Sequence, residues 1–142
     1  MKLREGILKS IWYPGIAAGV FAADLLLKRR AERRGESCRN RGAFLNLGQE
    51  KPALVRSLSE GLTALVSALF LCTLAQKGNR LLKTGLSFLL GGAFSNTYDR
   101  MKRGYVVDYL KLRTGIRAVD RVVFNIGDFA ILIGALLTAL GA

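Results

Sequence analysis

Apolar and charged residues are segregated along this chain. Four apolar runs cover roughly residues 10–27, 53–75, 81–97 and 122–140, and most charged residues lie between them. Each run has about 17 to 23 residues, which at about 1.5 Å rise per residue is enough to cross a hydrocarbon core of about 30 Å. The pattern therefore predicts an all-α membrane protein with four transmembrane helices.

The connections between the runs predict smaller elements. The segment from Asn40 to Gly48 has the asparagine, glycine and aromatic content of a turn with possible short strands. The β-branched and aromatic residues of 105–110 predict a short strand that carries Asp108. We expect a basic turn at 101–104 and a polar connection over 111–121. The helices are therefore accompanied by a small β-rich or loop element.

Composition favours one membrane-associated unit. The chain has 142 residues, which suits one domain, 1–142, and a net charge of +12. A basic chain can bind nucleic acid, but these basic residues lie in short loops between apolar runs, and no nucleic-acid motif is visible. Attraction to anionic phospholipid headgroups explains the charge better.

The residue types restrict the possible chemistry. The sequence contains no histidine, which removes the commonest general base and most zinc sites. The two cysteines, Cys38 and Cys72, cannot form a multi-bridge framework and show no metal-ligand spacing. Any hydrolytic chemistry therefore has to use carboxylates.

Two polar clusters lie within or beside the apolar runs. Asp24 precedes Lys28 by four residues, a helical spacing that favours either a local ion pair or a part in holding a polar site. Asn96 and Asp99, followed by Arg100, have an i, i+3 spacing that puts both on one face if the third helix continues. Polar groups at such positions are expensive unless they are paired or used.

The fourth run repeats this pattern, since Asn125 and Asp128 lie three residues apart inside an expected apolar helix. Two carboxylates held close together cannot both ionise easily, so they share a proton and one of them becomes a base while the other becomes an acid. Asp99, Asp108 and Asp128 are the candidates for such an aspartyl pair. Chemistry alone does not choose two of the three.

These stretches, in this order, resemble motifs of the lipoprotein signal peptidase (signal peptidase II) family, integral-membrane aspartyl peptidases of bacteria. Asp24–Lys28 is similar to the family's D-x-x-x-K, and Asn40–Phe44 to its N-x-G-A-A-F. Gly91–Arg100 resembles G-G-x-x-G-N-x-x-D-R, 103–110 resembles G-x-V-x-D-F/Y, and Phe124–Asp128 resembles F-N-x-A-D. The resemblance covers all four predicted spans.

The resemblance implies a function and a division of roles. The family removes signal peptides from diacylglyceryl-modified prolipoproteins, cutting before the lipidated cysteine, and it needs no metal or cofactor. Motif matching puts the catalytic pair on Asp108 and Asp128. The other polar motif residues are then substrate-binding or supporting residues: Asp24, Asn40, Asn96, Asp99, Arg100 and Asn125.

Some features depart from the family pattern. Asn40–Phe44 is one residue shorter than its motif, Ser95 replaces a usual glycine and Gly127 replaces an alanine. The segments 28–51 and 99–121 hold fifteen Lys and Arg residues, which by the positive-inside rule favours the cytoplasm for these loops. The family instead places both termini in the cytoplasm of a multi-pass inner-membrane protein, with the active site towards the extracytoplasmic face. We adopt the family orientation because the loops carrying Asn40 and Asp108 must face an exported substrate.

Three alternatives stay open on sequence alone. The altered first loop is compatible with a paralogue that has the same aspartyl pair but another membrane-peptide substrate. The basic loops are compatible with a non-catalytic membrane protein that binds lipid or lipopeptide. A basic soluble nucleic-acid binder would not partition with membranes.

Overall fold

The computed structural model describes residues 2–142, with side chains described from residue 11 onward. The helices are α1 (Lys2–Arg34), α2 (Pro52–Leu74), α3 (Arg80–Arg103), α4 (Arg117–Asp120) and α5 (Ile126–Gly141). The architecture is therefore mostly helical, as the apolar runs predict.

Length and hydropathy support two of the four predicted spans directly. Within the described part of the chain, Ile11–Arg34 and Pro52–Leu74 are long and apolar enough to cross a membrane. α5 is also apolar but has 16 residues. α3 has 24 residues and combines an apolar middle with charged residues at both ends.

Helix α3 is the centre of the bundle, since it packs against α1, α2 and most extensively against α5. Small residues let these backbones approach, as their clustering in the third run predicts. A Cβ added at Gly91 would lie 2.7 Å from the carbonyl oxygen of Ala17 in α1. A Cβ at Gly92 would collide with the carbonyl oxygen of Gly127 in α5. The end of α3 is thereby fixed against both neighbouring helices.

Two small antiparallel sheets lie at the end of this bundle. Strand β1 (Cys38–Asn40) pairs with β2 (Val106–Asp108), with Cys38 opposite Asp108. Strand β3 (Leu110–Lys111) pairs with β4 (Val123–Phe124). The predicted strand over 105–110 is thus confirmed. β2 pairs with the loop between α1 and α2 (35–51, the first loop), and β3 pairs with the segment that enters α5.

The helix boundaries differ from those of the apolar runs. Helix α1 continues past residue 27 to Arg34, and α3 continues through the expected turn at 101–104 as far as Arg103, where Gly104 ends it in a left-handed conformation. These extensions are stabilised by contacts between the two helices, because Arg103 pairs with Glu32. Charged residues therefore lengthen both helices beyond their apolar parts.

The prediction that Asn125 lies inside the fourth helix is wrong. Asn125 has an extended backbone conformation and caps the N-terminus of α5, while Val123–Phe124 forms β4. Its side chain accepts a hydrogen bond from the backbone N–H of Asp128, and the Asp128 side chain accepts one from the backbone N–H of Asn125. This reciprocal capping box satisfies N–H groups that the first turn of a helix leaves unpaired.

Candidate active site

Asp108 is a buried carboxylate at the end of β2. Its exposed fraction is 2%. The backbone pairing of β2 with β1 fixes its position, and the Nδ2 group of Asn125 donates a 2.8 Å hydrogen bond to its Oδ1. Among the residues whose side chains are described, no cation lies within ion-pair distance of Asp108, and burial without a paired cation favours the neutral form of a carboxylate.

Asp128 occupies the first turn of α5, where the capping box holds it. Its Oδ2 accepts a 3.0 Å hydrogen bond from the backbone N–H of Asn125, and its Oδ1 accepts a 2.8 Å hydrogen bond from Nδ2 of Asn96. The sequence indicates that Asp128 needs a partner from elsewhere in the fold, and Asn96 of α3 is that partner. Positive dipole ends at a helix N-terminus favour the charged form of a carboxylate.

Asn125 joins the two aspartates. Its side-chain amide binds Asp108, and its backbone N–H binds Asp128. Burial and, to a smaller extent, the negative charge of Asp128 raise the pKa of Asp108 to about 7, against the lowering effect of Asn125 and Asn40. Two carboxylates therefore share one polar cluster, and the pKa of Asp108 lies close to neutral pH.

A buried ion cluster supports the pair from α1 and α3. Lys28 Nζ lies 2.9 Å from Asp24 Oδ2 and 3.0 Å from Asp99 Oδ2, and all three side chains have 0% exposure. Ser95 donates a 2.6 Å hydrogen bond to Asp24 and accepts one of 2.9 Å from Lys28. The spacing of Asp24 and Lys28 predicts either an ion pair or a role in holding a polar site, and the structure shows the ion pair, in which Lys28 also contacts Asp99 and Ser95.

Asn96 connects this cluster to the aspartyl pair. Its Oδ1 accepts a 3.1 Å hydrogen bond from Lys28, which orients its amide so that Nδ2 donates to Asp128. Asp99, three residues later in α3, accepts a 3.1 Å hydrogen bond from the backbone N–H of Val107 in β2. The two residues thus hold the neighbourhoods of Asp128 and Asp108, respectively.

Arg100 and Asn40 both hydrogen-bond the backbone of Gly42 in the first loop. Arg100 Nη2 donates a 2.9 Å hydrogen bond to the carbonyl oxygen of Gly42. Asn40 accepts one of 2.9 Å from the backbone N–H of Gly42, and its side chain lowers the pKa of Asp108. A Cβ at Gly42 would lie 2.7 Å from the Asn46 backbone, so only glycine fits this turn. The structure therefore brings all eight predicted site residues into one region.

One site residue was not singled out from the sequence. The Tyr109 hydroxyl donates a 2.8 Å hydrogen bond to Asp24 and accepts one of 3.2 Å from the backbone N–H of Ile126. Burial raises the pKa of Tyr109, so its hydroxyl stays protonated. The only signal was its place after Asp108 in a motif that takes Phe or Tyr. Tyr109 links the ion cluster to the start of α5.

A family profile described as Signal peptidase (SPase) II matches residues 34–142. This chain belongs to the signal peptidase II family. The matched region contains every residue of the aspartyl cluster except Asp24 and its partner Lys28, so the family assignment and the geometry rest on the same part of the chain. Its members are bacterial membrane proteins, which agrees with the apolar helices α1 and α2.

Curated relatives of this signal peptidase II family member bear the name lipoprotein signal peptidase. One from Methylobacterium sp. (strain 4-46) is 36% identical over 95 residues, which is 67% of this chain and 56% of the relative. One from Alteromonas mediterranea is 34% identical, over 69% of this chain and 54% of the relative. One from Pseudomonas paraeruginosa is 35% identical, over 71% and 60%. The chain thus spans little more than half the length of these relatives.

Two solved structures share the fold. One described as "Bacterial membrane enzyme structure by the in meso method at 2.3 A resolution" has a TM-score of 0.75 and 22% identity, covering 94% of this chain and 87% of the other. A second, with the same description at 1.9 A resolution, has a TM-score of 0.70 and 23% identity, covering 94% and 92%. The helical arrangement around α3 is therefore one already observed in a membrane enzyme.

Proposed function

We propose that this protein is an aspartyl endopeptidase that removes signal peptides from diacylglyceryl-modified prolipoproteins by cutting before the lipidated cysteine. The observation that carries the proposal is Asn125, which holds the carboxylates of Asp108 and Asp128 in one cluster. Membership of the signal peptidase II family and the names of the curated relatives support the substrate class.

The two aspartates take different roles in this mechanism. Asp108 carries the proton, because its pKa is raised to about 7, and it donates a hydrogen bond to the scissile carbonyl oxygen. Asp128, whose oxygens accept hydrogen bonds from the backbone N–H of Asn125 and from Asn96, takes a proton from the attacking water. The water oxygen bonds to the carbonyl carbon. As the peptide bond breaks, Asp108 gives its proton to the leaving amine, and Asp128 keeps the proton taken from the water. Activity should therefore fall as the pH rises above about 7.

The surrounding polar residues position this pair. Lys28 pairs with both Asp24 and Asp99 and orients Asn96, so that the Asn96 amide meets Asp128. Arg100 holds the first loop through Gly42. Groups held in this way do not have to reorganise when charge develops in the transition state.

An apolar groove next to the pair suits the acyl chains of the substrate. The groove has a volume of about 320 Å³ and lies between α2, α3 and α5. Leu62, Val66 and Ile131 are among its lining residues, and Asn96 lies at the same groove. Since Asn96 contacts Asp128, a lipid in the groove would hold the attached cysteine beside the catalytic carboxylates.

The proposal includes a placement in the membrane. We infer a single domain, 1–142, in which α1, α2, α3 and α5 all cross the bacterial inner membrane and the two small sheets lie on the extracytoplasmic face. Phospholipids then surround the helices, and the basic loops face their headgroups rather than nucleic acid.

A cleavage assay tests the substrate assignment. The purified protein in phospholipid vesicles is given a prolipoprotein precursor with and without its diacylglyceryl group, and products are identified by mass spectrometry. We expect a cut immediately before the cysteine of the lipidated precursor alone. Equal cutting of the unmodified precursor would overturn the lipid requirement. Cutting of another membrane peptide in place of the prolipoprotein would identify the protein as a paralogue.

A further inference from the structure

A second, basic cavity shares Arg100 with the apolar groove. It has a volume of about 380 Å³, within the range of small-ligand pockets, and four arginines line it: Arg41, Arg56, Arg100 and Arg103. Tyr105 also lines it and carries the guanidinium of Arg39 on its ring, 4.8 Å from the centroid. Four guanidinium groups, from the first loop, α2 and α3, therefore line one cavity, with that of Arg39 stacked on its Tyr105 wall.

Part of this charge is not neutralised within the protein. Arg56 pairs with Glu60 at 2.8 Å, and Arg103 pairs with Glu32 and lies 3.8 Å from Asp99. Among the residues whose side chains are described, no carboxylate lies within ion-pair distance of Arg41. The Nε of Arg100 is buried and has no hydrogen-bond partner among these described residues. A buried donor without a partner is costly, so these two arginines have donors to offer to an anion.

The N-terminus of α2 adds a third donor to the cavity. Pro52 and Ala53, the first residues of α2, line it, and the preceding Lys51 provides no side-chain cap. The first turn of α2 contains no acidic residue. The N-terminus of a helix offers free N–H groups and a positive dipole end, which together with arginines suit a phosphate group.

We propose that this cavity binds the phosphate of an anionic phospholipid headgroup. Helix α2 starts at the cavity and is long and apolar enough to cross a membrane, so its N-terminus marks the level at which lipid phosphates lie. Next to Pro52 and Ala53, α2 exposes Leu54, Leu58 and Leu62 at four-residue spacing. A lipid phosphate at the cavity would leave its acyl chains beside this apolar face.

The cavity is coupled to the aspartyl pair through the first loop. Arg41 precedes Gly42, whose carbonyl oxygen binds Arg100 and whose N–H binds Asn40, a residue that acts on Asp108. An anion held by Arg41 and Arg100 would fix this loop against the end of α3. The proposal goes beyond the peptidase function, since the lipid is neither substrate nor product, but it predicts that anionic lipid increases the rate of cleavage.

Lipid binding tests the proposal without any need for activity. Fluorescent phosphatidylglycerol is titrated against the full chain in phosphatidylcholine vesicles, with the inactive Asp128→Asn variant as a second sample. We expect saturable binding by both, and about tenfold or greater weakening in the double variant Arg41→Gln/Arg56→Gln. The matched control Arg113→Gln/Arg117→Gln removes the same charge from the segment between α3 and α5. It should bind the lipid as strongly as the unchanged protein does.

The outcomes separate a built site from general attraction to the basic surface. Equal weakening in the two double variants, or no weakening in either, would overturn the proposal. Inorganic phosphate at matched ionic strength should not displace the labelled lipid, and full displacement would show that the cavity takes free phosphate instead. In the cleavage assay, phosphatidylglycerol should raise the rate for the control double variant and not for Arg41→Gln/Arg56→Gln. A protein that binds the lipid but cleaves no precursor would contradict the peptidase function and leave the lipid site supported.

Discussion

At the scale of single residues, Asn125 determines how the two aspartates meet. It caps α5 with its side-chain oxygen, binds Asp128 with its backbone N–H and binds Asp108 with its amide nitrogen. The i, i+3 spacing identified Asn125 and Asp128 as related, but periodicity alone placed both inside the helix. An N-cap and an interior position are both compatible with this spacing, so the spacing could not show that Asn125 has an extended backbone directly after β4.

The first prediction concerns the proton on Asp108. In the Asp128→Asn variant the pKa of Asp108 should fall below about 7, because the negative charge of Asp128 is one of the causes that raise it. Infrared titration of the isotope-labelled carboxyl band measures this value. The variant Asp120→Asn, which changes an exposed carboxylate at the end of α4, should leave the titration of Asp108 unchanged. An unchanged or higher pKa in Asp128→Asn would show that the two carboxylates do not interact.

At the scale of elements, local sequence predicted the types of structure better than their ends. The strand of 105–110 and the small-residue packing of α3 were predictable because β-branched residues and glycine clusters act locally. The extension of α3 to Arg103 was not, because it depends on partners from α1. Asp99 binds Lys28, and Arg103 binds Glu32, pairings separated by about seventy residues that no periodicity reveals.

The close approach of α3 and α5 gives a second prediction. Gly92→Ala should lower stability by about 1–3 kcal/mol, because its Cβ would collide with the Gly127 carbonyl, next to Asp128. The thermal unfolding midpoint in detergent measures the effect. Gly61→Ala is the matched control, since a Cβ there meets nothing within 4 Å. Equal midpoints for the two variants would contradict the packing described for α3.

At the scale of the whole molecule, five polar segments from separate parts of the chain meet at one end of the bundle. The motif order predicted which residues belong together, and all eight predicted residues lie there. The sequence could not show on which side of the membrane the candidate site lies. The basic loops favour the cytoplasm, whereas the family orientation favours the opposite face. The register that places Cys38 opposite Asp108 makes the question accessible to experiment.

A third prediction follows from this register. In a Cys72→Ala background, the exposed thiol of Cys38 should react with a membrane-impermeant maleimide added to intact spheroplasts, because it lies on the same side as Asp108. A cysteine placed at Gln76, in the loop at the opposite end of α2 and in a protein lacking both native cysteines, is the control and should react only after permeabilisation. The reverse pattern would place the site on the cytoplasmic face.

The most direct test of the aspartyl mechanism is cleavage of a diacylglyceryl-modified prolipoprotein by three folded variants in the same vesicles: Asp108→Asn, Asp128→Asn and Asp120→Asn. Loss of either the acid or the base should lower the rate at least about 100-fold. Asp120→Asn, which keeps the aspartyl pair intact, should cleave at the rate of the unchanged protein. If Asp108→Asn and Asp128→Asn both cleave at that rate as well, the two carboxylates joined by Asn125 are not the catalytic pair.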